Sequence, residues 1–394
     1  MIEPTLPRQN GLDTVTFSKT LSATYASYKY LWLLALLETL KEREYDVKES
    51  IKFDDIFVVM LKLAVDPVRK FKLVFGERDQ MKQLISDLDN NSQQIGIWTQ
   101  ISPDAIKENS AFPTVRKELG KYPPSRWIHP FVEEETKGAG GKGRNQKAIT
   151  NAIIKAAYAR SQSKNPLPYY INSNDTVGEI IVHEKWAEYF SGNAEVIKGW
   201  CLWHFAKFLQ VRNSNVPAII NKITADTKQE RTNAITKQRE FWTAIITQSP
   251  GIYCLYSNEL LTKDEFVLDH YVPWSFVGHD SLWNLVPAHP SANSSKGDRL
   301  PDKQYLPRLI DAHHNALTIW HIHFRTKWKK LVESYISDLK LTNDTLTNQD
   351  KIKKAYSDII PPLIDLAKAN HFNDKWVYND KEPLLKRSDK RNGD

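Results

Sequence analysis

The 394-residue chain carries 54 Lys and Arg against 47 Asp and Glu, a net charge of +7, with 41% apolar and 26% charged residues. That balance excludes intrinsic disorder and predicts two or three domains with sizeable cores. No apolar run reaches the roughly 20 residues needed to span a bilayer. The start, Met1-Ile-Glu-Pro4, shows no basic region followed by an apolar core, and there are two cysteines. A cytoplasmic protein without membrane contact is therefore expected.

In chain order, Thr20 to Arg43 is apolar at helical spacing (Leu21, Tyr25, Tyr28, Leu31, Trp32, Ala35, Leu36), and its run Tyr30 to Leu37, broken by Glu38, reads as a buried helix. Asp54 to Val65 predicts a second helix ended by Asp66-Pro67, because the residue before proline avoids helical angles. Leu73 to Asp89 and Pro113 to Gly120 add further helical pieces. Residues 1–135 thus read as a mostly α domain without a catalytic constellation, suited to sensing or specificity.

Gly138-Ala-Gly-Gly-Lys-Gly143 is the densest glycine cluster, and 136–147 reads as a hinge or mobile loop. From Lys137 to Asn174 there are seven basic residues and no acidic one. Such a stretch tracks a phosphate backbone or forms a solvated linker with a basic helix face. Lys142, Arg144, Lys147 and Lys155 are its nucleic-acid-binding candidates.

Residues 148–394 read as a helical domain around a chemical motif. Helices are predicted over Asn145 to Arg160, Val196 to Val211, Lys222 to Gln248, Leu309 to Leu339 and Lys351 to Ala369, the last interrupted at Pro361-Pro362. Trp200, Trp203, Phe205 and Phe208 could stack on bases, but their helical spacing points to core packing. His313, His314, His321 and His323 read as mixed core and surface positions rather than a metal cluster. The charged end from Lys386 is expected to fray.

The motif runs from Val267 to Pro301 and sets Asp269 and His270 ahead of Asn284, Asn293 and Lys296. Glu265 to His270 predicts a short strand, Gly278 to Trp283 a loop, Asn284 to Pro287 a second strand, and Pro290 opens a helix to Lys296. That helix bears Asn293 and Lys296 on one face. Strict alternation sends Asp269 and His270 to opposite faces of the strand unless it twists or bulges. His279 and Asp280 read as loop polar groups.

Phosphodiester hydrolysis needs a base for the attacking water and a positive centre for the charge that grows on the phosphoryl group. Imidazole exchanges protons near neutral pH, which makes His270 the candidate base. The hard oxygens of Asp269 and Asn293 suit Mg²⁺ or Mn²⁺.

Over roughly 253–301 these residues resemble the motif of the HNH (ββα-metal) nucleases. The resemblance implies a metal ligand at Asp269, the general base at His270, a bracing amide at Asn284, a second metal ligand at Asn293, and Lys296 near the scissile phosphate. Arg299 joins Lys296 as a nucleic-acid contact. Many relatives also hold a structural zinc with four cysteines, but the matching positions here are Cys254, Ser257, His289 and Ala292. Two ligands cannot close a tetrahedral site, so no structural zinc is expected, and packing by Trp274, Phe276, Trp283 and Leu285 takes its place.

The expected fold is mainly α with an embedded ββα-metal (HNH) nuclease unit. The resemblance and the domain order imply a DNA endonuclease of the restriction or phage-defence kind, acting on double-stranded DNA. A small-molecule or protein trigger and a homo-oligomer remain open. The alternatives are a homing or nicking nuclease, and a non-catalytic nucleic-acid binder with a relic HNH unit.

Overall fold

The computed structural model describes residues 5–22, 24–90, 101–173, 178–224, 228–325 and 328–379; the charged end from Lys386 lies outside them. The fold is mainly helical and divides into two compact units, Met1–Ser214 and Asn215–Asp394. No described helix is long and apolar enough to cross a membrane.

In the first unit the helix Tyr28–Glu42 is buried on every side along Tyr30 to Leu37, as befits a central helix. It packs against the helices Phe53–Val65 and Glu184–Arg212. It begins later than the spacing predicts: Ser27 gives its N–H to Asp79 at 2.6 Å, and Tyr25 is 78% exposed. Asp66-Pro67 does not end the second helix, which runs on into a π-helical turn, Asp66–Lys70. Pro67 has no N–H to give the Leu63 carbonyl, and the ladder widens there to the π spacing. Trp200, Phe205 and Phe208 are core residues, whereas Trp203 is 40% exposed.

A three-stranded antiparallel sheet completes this unit, with β1 (Ile51–Lys52), β2 (Tyr169–Ser173) and β3 (Gly178–Val182) in the order β1-β3-β2. Tyr169, Ile171, Ile180 and Val182 face the core at period two. The sequence reading contained no such sheet.

The glycine-rich stretch falls inside the first unit rather than between units. Gly138, Gly140 and Gly141 take positive φ in a run of turns, Asn145 caps the helix Gln146–Ser161, and that helix packs on Pro123–Ile128 and β2. Arg160 fastens its far end by donating to the Phe131 carbonyl at 2.7 Å and to Glu135 at 3.1 Å. These contacts put the division after Ser214 and not at 136–147.

In the second unit the helices Lys228–Gln248, Leu306–His323 and Gln349–Ala369 support a two-stranded antiparallel sheet of β4 (Val267–His270) and β5 (Leu285–Ala288). Two indole and phenol groups tie this frame to the motif: Trp242 Nε1 donates to the Leu285 carbonyl at 3.0 Å, and Tyr356 Oη to the Trp283 carbonyl at 2.9 Å. Pro361 and Pro362 lie within an unbroken helix, contrary to the predicted interruption. Its buried stripe of Ile352, Tyr356, Ile360 and Ala367 offsets the lost backbone bonds.

His313 is fully buried among Trp242, Tyr335 and Tyr356, and Nδ1 meets the Tyr335 hydroxyl at 2.8 Å. Burial pushes its pKa from 6.5 down to about 3. Between those values the unfolded chain takes a proton that the folded one refuses, so stability falls as pH drops below 6.5. Protection factors of the Leu306–His323 helix, corrected for the slower intrinsic exchange at lower pH, should fall from pH 6.5 to about 5, and His313→Gln should flatten that dependence.

Candidate active site

β4 and β5 pair in unbroken register, Asp269 opposite Val286 and His270 opposite Leu285, with no bulge. The alternation therefore stands, and the two side chains take different partners. The helix Pro290–Lys296 follows β5 and packs on β4. Proline opens it and His289 caps it, accepting the Ser291 N–H.

Asp269 points inward and is 4% exposed. Its Oδ2 accepts the Tyr256 hydroxyl at 2.5 Å, and Lys296 Nζ lies 3.1 Å from Oδ1 and 3.0 Å from Oδ2. Lys296 has no exposed side-chain surface and also donates to the His270 carbonyl at 2.6 Å. The ammonium thus turns onto the carboxylate, not outward to the phosphate contact expected of it, because a buried carboxylate needs a counter-charge. Arg299 likewise spends donors locally, on the Ser295 and Lys296 carbonyls, with its guanidinium 5.8 Å from the Trp376 ring.

His270 turns the other way. Its Nε2 lies 2.7 Å from Asp280 Oδ1, with the two side chains 15% and 11% exposed. A carboxylate oxygen only accepts, so Nε2 donates and Nδ1 keeps the lone pair of the neutral ring. Asp280 was read from sequence as a loop polar group, and the structure makes it the partner of the candidate base.

The loop that brings Asp280 back is tightly held. Lys222 Nζ donates to the Phe276 carbonyl at 2.5 Å and the Pro217 carbonyl at 2.6 Å, and burial lowers its pKa to about 7. Asn221 donates to the Gly278 carbonyl at 2.9 Å. Gly278 has φ +69°, and a Cβ there would come within 2.9 Å of Ala218 Cβ. Asn284, fully buried, closes the same loop by accepting the Val272 N–H at 2.9 Å and donating to the Val272 carbonyl at 2.8 Å.

Asn293 is half-buried, and its side-chain amide has no hydrogen-bond partner among the described residues. With Asp269 it offers hard oxygens, and Asp269 Oδ1 accepts only from Lys296, so a lone pair remains there. Oxygen donors of this type suit Mg²⁺ or Mn²⁺, although Asp269 is already met on both oxygens by the Lys296 ammonium. Among the described residues no three His, Cys, Asp or Glu side chains are grouped to hold a metal by themselves.

Cys254 Sγ accepts the Ser257 N–H at 3.5 Å and the His289 N–H at 3.3 Å. Phe276, Trp283 and Leu285 are buried around the motif, and Trp274 is partly so. The basic candidates Lys142, Arg144, Lys147 and Lys155 are all exposed and belong to the first unit.

Removing Lys296 leaves Asp269 as a buried unpaired charge. Lys296→Met should destabilise the second unit by about 3–5 kcal/mol, and adding Asp269→Leu should recover most of that loss. Urea unfolding followed by tryptophan fluorescence measures both.

Comparison with known proteins bears on one stretch of the chain. Residues 254–302 match a family model described as HNH endonuclease. No curated protein and no solved structure matches the chain. The matched stretch contains Asp269, His270, Asp280, Asn284, Asn293 and Lys296, so the part of the chain that carries the candidate site is similar to an HNH endonuclease.

Proposed function

We propose that the chain is a metal-dependent HNH endonuclease that hydrolyses DNA phosphodiester bonds. The observation that supports this most directly is the 2.7 Å His270–Asp280 pair at the end of β4, within the matched segment. In this reading His270 Nδ1 takes the proton of the attacking water, while Asp280 fixes the ring and offsets the charge of the imidazolium. Asp269 and Asn293 would hold Mg²⁺ or Mn²⁺. When bound, such an ion neutralises charge growing on the phosphate and on the leaving oxygen. Asn284 keeps the Tyr271–Val272 turn in place, and Lys296 satisfies Asp269 from within.

A short HNH segment reads little sequence by itself, so specificity belongs to the first unit, a partner or a second copy. Lys142, Arg144, Lys147 and Lys155 would there meet a DNA backbone. The biological setting that suits this architecture is restriction or phage defence in the cytoplasm, on double-stranded DNA, with a small-molecule or protein trigger. One observation favours a second reading: Lys296 already neutralises Asp269, as it would in a relic site that binds nucleic acid without cutting it.

Supercoiled plasmid with Mg²⁺, Mn²⁺ or EDTA separates these readings. Cutting should require the metal and fall by about 100-fold or more in His270→Ala and Asn293→Ala. Asp280→Asn should cost on the order of 10-fold in rate without weakening DNA retention in a gel shift. Retention without cutting, in every metal, would favour the binder, and nicked product alone a nicking enzyme.

A further inference from the structure

A cleft of about 680 Å³ opens in the first unit between the start of the Gln146–Ser161 helix and the Lys121 to Ser125 turn. Its floor is apolar, with Phe53 and Ile171 buried and Ile154 beside them. Lys117, Lys121 and Lys147 stand on its rim, and among the described residues no carboxylate lines it. Lys121 is neutralised by Glu118 at 2.6 Å, but Lys117 and Lys147 have no side-chain partner among the described residues. Tyr122 contributes an aromatic ring that is 42% exposed, and Thr150 and Asn151 add a hydroxyl and an amide one turn beyond Lys147.

Further positive charge lies behind Tyr122. Arg126 donates to Gln146 Oε1 at 2.9 Å and its guanidinium lies 6.0 Å from the Tyr122 ring. Burial, and then the Arg126 charge, hold the Lys29 ammonium below its ordinary pKa. His129 is lowered by burial and by Arg126 and Lys29, against an opposing effect of Glu133. Of these groups Arg126 lies nearest the opening, beside Gln146 and Tyr122, and its charge adds to that of the rim lysines.

A free aromatic face, an apolar floor, an amide and two unpaired lysines ask for a ligand that is flat and apolar at one end and anionic at the other. The cleft also falls within the roughly 300–1,000 Å³ of ordinary small-molecule sites. We propose that this cleft binds a nucleotide, its phosphates on Lys117 and Lys147 and its base against Tyr122 and the Phe53–Ile154 floor. Charge-assisted contacts from the lysines supply affinity, and stacking on the ring selects a base over phosphate alone. The site shares Lys147 with the proposed DNA-backbone contacts and otherwise uses residues that the nuclease reading does not.

Calorimetric titration of the full chain in EDTA tests it, since metal removal separates binding from any cleavage. ATP should bind at one site per chain and tripolyphosphate more weakly. Lys117→Ala with Lys147→Ala should lower ATP affinity by on the order of 10- to 100-fold, and Tyr122→Ala should bring ATP down to the level of tripolyphosphate. Both lysines are exposed, so unchanged circular dichroism and melting will certify the fold. No binding of ATP or GTP, equal affinity for ATP and tripolyphosphate, or ATP binding unaltered in the lysine variant would each overturn the proposal. So would retention of a short single-stranded DNA in this cleft with no nucleotide binding, which would make it a strand-binding groove.

Discussion

A carboxylate shut away from water has to find its counter-charge inside the protein, and the second unit is arranged to provide one for Asp269. Lys296 reaches it from the last turn of the Pro290–Lys296 helix, while Tyr256 approaches from the segment before β4. These contacts join three pieces of chain that are distant in sequence, and they set the angle of the helix that also presents Asn293. Lys296 further holds the His270 carbonyl, so one ammonium fixes the backbone beside the candidate base and the side chain of the candidate ligand. The cost of leaving either charge alone makes this arrangement hard to alter piecemeal.

Much of the site was legible because its residues lie on short elements at fixed spacing. Asp269, His270, Asn284 and Asn293 are read directly from the run, and proline at 273 and 290 marks where the elements stop and start. Asp280 was not legible in its role. Ten residues separate it from His270, and the path between them depends on a positive φ at Gly278 and on Lys222, 54 residues away from Phe276. Nor could the inward turn of Lys296 be read, since a lysine near a phosphate motif looks the same whether it faces substrate or carboxylate.

The helices were recovered largely from periodicity, with edges displaced where local chemistry intervened. Ser27 and Asp79 delay one start, and a buried stripe carries the last long helix through Pro361-Pro362. The strands of the first unit were missed because β1 has two residues and β2 and β3 five each, too few for alternation to stand out from neighbouring helices. The glycine cluster suggested a boundary, yet glycine marks only a backbone that can turn sharply. Whether the chain beyond it leaves the domain is decided by packing, and Arg160 keeps it in place.

The Cys254 sulfur accepts two amide protons, from Ser257 and His289. The loop before β4 and the cap of the Pro290–Lys296 helix are thereby sewn together by the chain's own atoms. Under the proposed metal-dependent reading, a chelator would strip the ion that assists the chemistry while this stitch stays closed. Inactivation by chelation would then be reversible on adding metal back, without any refolding step. Cys254 is buried, so a thiol-directed reagent would reach its sulfur only when this frame opens.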